Sequence, residues 1–359
     1  MATQYANLLS RLLMRNGFTY QFAFPILDKR RLARRMEFLE RLLPAPRQTP
    51  PVIAPIFVAA LPRTGSTWLQ TLLCAHPQLA YVSHLTHHFP TCFRAANLVA
   101  RTLGLDARAE RFIGDSVVNS LHGPSEATAL WADWFGMDPA CLTYDPFTVA
   151  DLDPATVADV RDTLGRVCAL FGPDRRFFCK NPGFIPYTPV LAGLFPDAKC
   201  IHLVRDPRPT ANSMLKLLAA CRRQLAFLKA SGQPLAMRLD DFIPYPRLPR
   251  LAEYVARFGA ADIRTTARLW RDAALFMENI APTIPNLLTV RFESVLADPA
   301  GTMAALFEFC DLPPLDPDTP ALRGLYARTG RVAHQNAYGG YAEITEICRE
   351  TMGRLGYEA

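Results

Sequence analysis

The sequence predicts an α/β fold, with a central parallel β-sheet flanked by helices, and three observations carry that expectation. Apolar, β-branched runs recur at residues 53–61, 176–179, 199–204 and 287–290, without the polar alternation of a strand that faces water on one side. Segments of helical period separate them at 66–74, 156–171, 187–195 and 263–280. Hydrophobic residues make up 50% of the 359, enough to bury a large core. Strands that alternate with helices pair in parallel, because a parallel neighbour is reached only through a crossover.

Each flanking region has its own signature. Residues 5–43 have the period of one or two amphipathic helices, with Leu8, Leu9, Leu12 and Leu13 on one face. Leu32, Met36, Leu39, Leu42 and Leu43 form a second stripe. Five prolines between residues 44 and 55 make a linker, so residues 1–52 form an N-terminal helical extension ahead of the main domain at 53–359. Residues 215–259 are long for a connection and contain Ile243-Pro-Tyr-Pro-Arg-Leu-Pro249, which marks a helical, Pro-rich insertion.

Composition excludes several classes. The formal net charge of +6, from 39 basic and 33 acidic residues, gives no basic tail or stripe for nucleic acid but suits an anionic small molecule. Nine scattered cysteines contain no C-x-x-C pair, so neither a zinc site nor a disulfide framework is expected, and no metal. Arg11 and Arg15 interrupt the early apolar runs, and no stretch of eighteen apolar residues exists. A cytoplasmic protein without stable membrane insertion is therefore expected. Abundant Ala, Arg and Pro with few lysines fit a GC-rich bacterial genome.

Two junctions carry the chemistry. Leu61-Pro62-Arg63-Thr64-Gly65-Ser66-Thr67-Trp68-Leu69 joins the first strand to its helix. Backbone N–H groups of such a turn converge on an anion, hydroxyls add donors, and Arg63 adds a permanent charge. Ala60 or Leu61 stands near the first Gly of a Walker A loop and no Lys follows Gly65, so the junction is P-loop-like without being a nucleotide triphosphatase loop. The second junction is Arg205-Asp-Pro-Arg208-Pro-Thr-Ala-Asn-Ser213. Asp206 suits an N-cap and Pro207 a first helical turn. Arg205 offers a bidentate fork for phosphate, and Ser213, eight residues on, offers a further donor.

These residues resemble the sulfotransferase superfamily that uses 3′-phosphoadenosine-5′-phosphosulfate (PAPS) and releases PAP. Its 5′-phosphosulfate loop, P-[KR]-[ST]-G-[ST]-T-W, matches residues 62–68 without a gap. Members of the cytosolic type carry Lys where Arg63 stands, while the tyrosylprotein and many bacterial members carry Arg. The resemblance implies that Arg63, Thr64, Gly65, Ser66 and Thr67 grip the 5′-phosphosulfate and that Trp68 stacks near the adenine, unless Trp68 is core. It also implies that Arg205 and Ser213 hold the 3′-phosphate. Lys180, in Phe178-Cys-Lys180-Asn-Pro182, matches a K-x-P stretch of the bacterial and tyrosylprotein branch whose Lys reaches the transferring group. Arg291-Phe292-Glu293 resembles an R-Y-E segment with Phe292 in place of Tyr. Arg328, Arg331, His334 and Tyr338 fall where the family closes a late loop over the nucleotide, with Arg331 either a phosphate ligand or a surface residue.

The implied reaction is in-line sulfuryl transfer to a hydroxyl of a hydrophobic small molecule or lipid. Cations at the leaving oxygen stabilise the charge that develops there, a task for Arg63 and Lys180. The general base is open. No acidic residue lies between Glu40 and Asp106, which leaves His84, His87 or His88 in that segment, with His122 and Glu126 in reserve. His84 stands where the tyrosylprotein branch has its Glu, and is taken as the base. The aromatic run Trp131, Trp134, Phe135 has helical spacing and fits core better than pocket. A nucleotide-dependent kinase or other NTPase on the same architecture, and a PAP-binding protein without turnover, are the competing readings.

Overall fold

Buried on every residue, the strand Ile56–Ala60 is the axis of the molecule's parallel sheet. The computed structural model describes residues 3–21, 30–44, 49–115, 117–138, 140–232, 234–235, 242–316, 318, 320–326 and 339–358. Among these there are eight strands: β1 (Thr3–Tyr5), β2 (Ile56–Ala60), β3 (Leu79–Ala80), β4 (Ala107–Glu110), β5 (Val118–Ser120), β6 (Arg176–Asn181), β7 (Lys199–Val204) and β8 (Leu287–Arg291). They form a five-stranded sheet of order β3-β6-β2-β7-β8 and a three-stranded sheet of order β1-β4-β5. All pairings in the larger sheet are parallel, and those in the smaller are antiparallel.

The expected runs became β2, β6, β7 and β8, and the helix periods became Ser66–Leu73, Pro154–Phe171, Thr188–Leu194 and Ile263–Ile280. Double-sided burial explains why β2, β6 and β7 lack alternation, whereas the edge strand β8 is only partly buried. Ile56, Val58, Phe177, Phe178, Ile201 and Leu203 are all fully buried. Phe57 meets Phe184 edge-on at 5.8 Å, tying β2 to the short helix after β6.

The order of the strands fixes where a ligand can sit. From β2 the chain goes out to β3 on one side, whereas from β7 it goes to β8 on the other. The adjacent pair β2–β7, in register through Ala60 and Leu203, is therefore the topological switch point. Crevices open beyond the carboxyl ends of such a pair, and those ends carry Arg63 and Arg205.

By clustering of contacts the chain forms two compact units. One comprises residues 50–80, 141–217 and 244–359 and holds the parallel sheet; the other comprises 1–49, 81–140 and 218–243. In the latter, helices Leu8–Gln21 and Arg30–Leu42 occupy the predicted amphipathic region. On the first helix the side that packs is not the leucine stripe, whereas on the second Met36 of the predicted stripe does pack. Met14 and Met36 join Leu85, Phe89, Ala96 and Leu105, while Leu8, Leu12 and Leu42 stay exposed. Trp134 meets the Trp131 ring edge-on at 5.1 Å and Phe135 meets it at 5.6 Å, with Trp131 fully buried, so the aromatic run is core.

Helix Pro207–Ala230 occupies the first half of the segment expected to be an insertion. The Pro-rich half beyond it buries Ile243, Tyr245 and Leu248, and the Tyr245 hydroxyl donates to the Ala260 carbonyl at 3.1 Å. Among the described residues, no helix is long and apolar enough to cross a membrane.

His202 sits in β7 between Ala59 and Thr289, and burial pushes its imidazole down to about 4. An unfolded imidazole titrates near 6.5, so on acidification the unfolded chain takes the proton first. Stability from this group is complete above about 6.5 and is lost as pH falls through the folded value, a change on the order of 3 kcal/mol. Urea unfolding between pH 7 and 4 should show that loss, and His202→Asn should flatten the slope.

Candidate active site

Arg63 stands with φ +73° and Gly65 with φ +89°, both in the left-handed region. Two such residues fold the chain sharply enough to bring the end of β2 onto the first turn of Ser66–Leu73. In that turn the Trp68 N–H donates to the Gly65 carbonyl at 2.9 Å, and the N–H groups of Ser66 and Thr67 precede this first bond of the helix. Thr64 is buried, and its hydroxyl donates to the Leu61 carbonyl at 2.8 Å, closing the loop on itself. Gly65 is required sterically as well, since a Cβ there would lie 2.2 Å from the Phe292 ring.

The two junctions meet. Arg63 Nε donates to Ser213 Oγ at 3.0 Å across 150 residues of sequence, and Arg205 Nη1 donates to the Arg63 carbonyl at 3.4 Å. Asp206 caps the following helix as expected, its Oδ1 accepting from the Arg208 N–H at 2.8 Å. Burial holds the Arg205 guanidinium below its ordinary range; Glu293 acts against that and Arg63 acts with it. Two guanidiniums held together call for an anion.

Further contacts lie behind Arg205. Its guanidinium stacks on Phe292 with 4.9 Å to the ring centroid, and its carbonyl accepts from the Trp270 indole N–H at 2.8 Å. The next N–H, that of Asp206, donates to Glu293 Oε1 at 3.0 Å, and Tyr357 donates its hydroxyl to Glu293 Oε2 at 2.9 Å. Sequence reasoning assigned no task to Trp270 or Tyr357. Glu293 carried a signal through the R-F-E segment, but Trp270 carried none.

Lys180 lies on β6 opposite Val58 of β2 and is 1% exposed. Its ammonium partly offsets the rise that burial imposes on the Cys74 thiol, the C-cap of Ser66–Leu73. Ser66 is buried, whereas Thr67 and Trp68 are partly exposed. The Trp68 indole N–H is buried with no hydrogen-bond acceptor among the described residues. An unmatched donor and a pair of adjacent cations form a donor set suited to a phosphorylated nucleotide.

The candidate histidines His84, His87, His88 and His122 lie in the other unit. His84 opens the helix His84–His88 behind the N-cap Ser83, and its backbone N–H donates to the Gly123 carbonyl at 3.0 Å. His87 Nδ1 lies 2.6 Å from Ser125 Oγ, and burial pushes it down to about 4 against the pull of Glu126. His88 stacks at 5.9 Å from His87, and His122 Nε2 bonds the Leu105 carbonyl at 2.9 Å. Arg328, Arg331, His334 and Tyr338 lie outside the described residues.

Residues 55–240 match the model of the sulfotransferase family. The chain belongs to that family. Two relatives are the omega-hydroxy-beta-dihydromenaquinone-9 sulfotransferases Stf3 of Mycobacterium bovis and Mycobacterium tuberculosis. Each is 25% identical over 323 residues, covering 85% of this chain and 75% of the relative. The crystal structure of sulfotransferase STF9 from Mycobacterium avium superposes with a TM-score of 0.55 at 18% identity, over 99% of this chain and 87% of that one. It shows the same P-loop-like fold. The chain is therefore a sulfotransferase that transfers a sulfuryl group.

The Gly65–Phe292 approach gives a direct check on the loop. Gly65→Ala should cost about 1–3 kcal/mol in urea unfolding, from the left-handed φ and the ring overlap together. In a Phe292→Ala background the added cost should shrink to the backbone part, and a double-mutant cycle measures the difference.

Proposed function

We propose that this sulfotransferase uses PAPS as donor and sulfates a hydroxyl of a hydrophobic small molecule or lipid, with residues 53–359 as its sulfotransferase domain. The observation that carries the reading is the Arg63–Ser213 hydrogen bond with the Arg205–Arg63 contact beside it. It makes one cationic site from two motifs, one suited to each end of a nucleotide bearing both 5′- and 3′-phosphates. PAPS, when bound, supplies the activated sulfuryl group.

The roles of the chain's residues follow from their chemistry. Arg63 and the N–H groups of Thr64, Gly65, Ser66 and Thr67 orient the 5′ end, and the Trp68 indole lies along the base. Arg205 and Ser213 hold the 3′-phosphate, a feature that most nucleotides lack. Arg63 and Lys180 supply positive charge where negative charge develops on the leaving oxygen. His84 takes the acceptor's proton. His87 suits that task less well, because an imidazole pushed down to about 4 and bonded to Ser125 is a weak base at neutral pH. The acceptor class is supported by the Stf3 relatives, whose named substrate is a hydroxylated menaquinone. None of the nine cysteines forms a disulfide, and seven are buried, which supports a reducing compartment such as the cytoplasm.

Calorimetric titration tests the donor. PAP should bind at least tenfold more tightly than 5′-AMP or ADP, and Arg205→Ala should abolish the preference. Equal binding of all three nucleotides overturns the donor assignment, and PAP binding without turnover on any hydroxylated acceptor points to a binding protein. Arg63→Ala and Lys180→Ala should each lower kcat by about 10²–10³-fold in a sulfate-transfer assay. With acceptor saturating, His84→Ala should lower kcat by about 10²-fold, and an unchanged value excludes it as base.

A further inference from the structure

The reading of Arg205 as the 3′-phosphate ligand raises a question of charge. Among the acidic groups that act on Arg205, Glu293 does most to oppose its desolvation. A carboxylate that paired with this guanidinium would neutralise the cation the phosphate needs. Both of its oxygens are engaged elsewhere. Oε1 accepts the Asp206 N–H at 3.0 Å, and Oε2 accepts the Tyr357 hydroxyl at 2.9 Å. Arg205 meanwhile stacks on Phe292, the residue preceding Glu293.

Tyr357 is itself held firmly. It is 6% exposed, lies 6.3 Å from the Trp270 ring, and carries the Arg291 guanidinium 4.2 Å over its face. Arg291 Nη1 donates to the Gly356 carbonyl at 2.8 Å, and Arg208 Nη2 donates to the Glu358 carbonyl at 3.2 Å. Burial and then Glu293 push the phenol's titration upward, which keeps the hydroxyl protonated as a donor.

We propose that Tyr357 is a positioning residue that holds the Glu293 carboxylate away from Arg205 and so sets selectivity for a 3′-phosphate. Without the hydroxyl, Oε2 loses this donor and the carboxylate turns to Arg205, a guanidinium on which it already acts. The proposal rests on the donor assignment above and extends it to a residue 152 positions further along the chain than Arg205.

Titration of PAP and ADP into the full chain and three variants tests this. Tyr357→Phe should raise the Kd for PAP about tenfold and leave that for ADP unchanged. In turnover it should raise KM for PAPS without lowering kcat. Glu293→Gln keeps an oxygen for the Asp206 N–H but removes the charge, so it should bind PAP within about threefold of the unmodified protein. The decisive variant is the double one: Glu293→Gln with Tyr357→Phe should regain most of the affinity lost in Tyr357→Phe alone.

A purely structural role predicts the reverse, with PAP and ADP weakened alike and the double variant worse than either single one. That result overturns the proposal, as does a Tyr357→Phe protein with normal PAP affinity. If Tyr357→Phe fails to fold, Glu293→Gln decides: a tenfold loss of PAP affinity with ADP unchanged overturns it. No preference for PAP over ADP in the unmodified protein is a different failure, one that removes the donor assignment and the proposal with it.

Discussion

The contact between the Arg63 loop and the Arg205–Ser213 junction, at the carboxyl ends of adjacent strands, is what much of the surrounding structure serves to hold. Arg63 adopts a left-handed backbone conformation that costs a non-glycine residue about 1–2 kcal/mol. Its Nε is tied to Ser213 and its carbonyl to Arg205, each bond contributing about 1 kcal/mol. The strain and the bonds are therefore of similar size. What remains is a concentration of positive charge next to the N-terminus of helix Ser66–Leu73, whose natural complement is a polyanionic ligand.

The support behind this pair comes from distant parts of the chain. Trp270 lies in Ile263–Ile280, Phe292 and Glu293 follow β8, and Tyr357 follows Tyr341–Arg354. Each touches the Arg205–Asp206 corner or the residue that touches it. Phe292 serves both junctions, because the ring that stacks on Arg205 also forbids a side chain at position 65. The change from the family's usual Tyr to Phe292 removes a hydroxyl without removing that double contact.

The second unit follows different physics. Its small antiparallel sheet and helices enclose a core of Leu85, Phe89, Leu105 and Leu121, and its histidines are mostly engaged with neighbours. His87 with Ser125 and His122 with the Leu105 carbonyl show how imidazoles become structural when a polar partner is near.

The sequence by itself determined the parallel sheet, the positions of its four long strands and the two strand-to-helix junctions that carry Arg63 and Arg205. Those features are local: burial on both faces erases alternation within one strand, and a cap or turn is written in a few adjacent residues. The two-residue β3 and the three-stranded sheet escaped notice, because strands this short have too little pattern to register. The leucine stripe of Leu8–Gln21 was legible, but the side that packs is set by Met14 and its distant neighbours. Tertiary structure alone decided that Arg63 and Ser213 touch and that Trp270 and Tyr357 stand behind Arg205. Each of these depends on contacts between residues far apart in the chain, and no local periodicity records such a pairing.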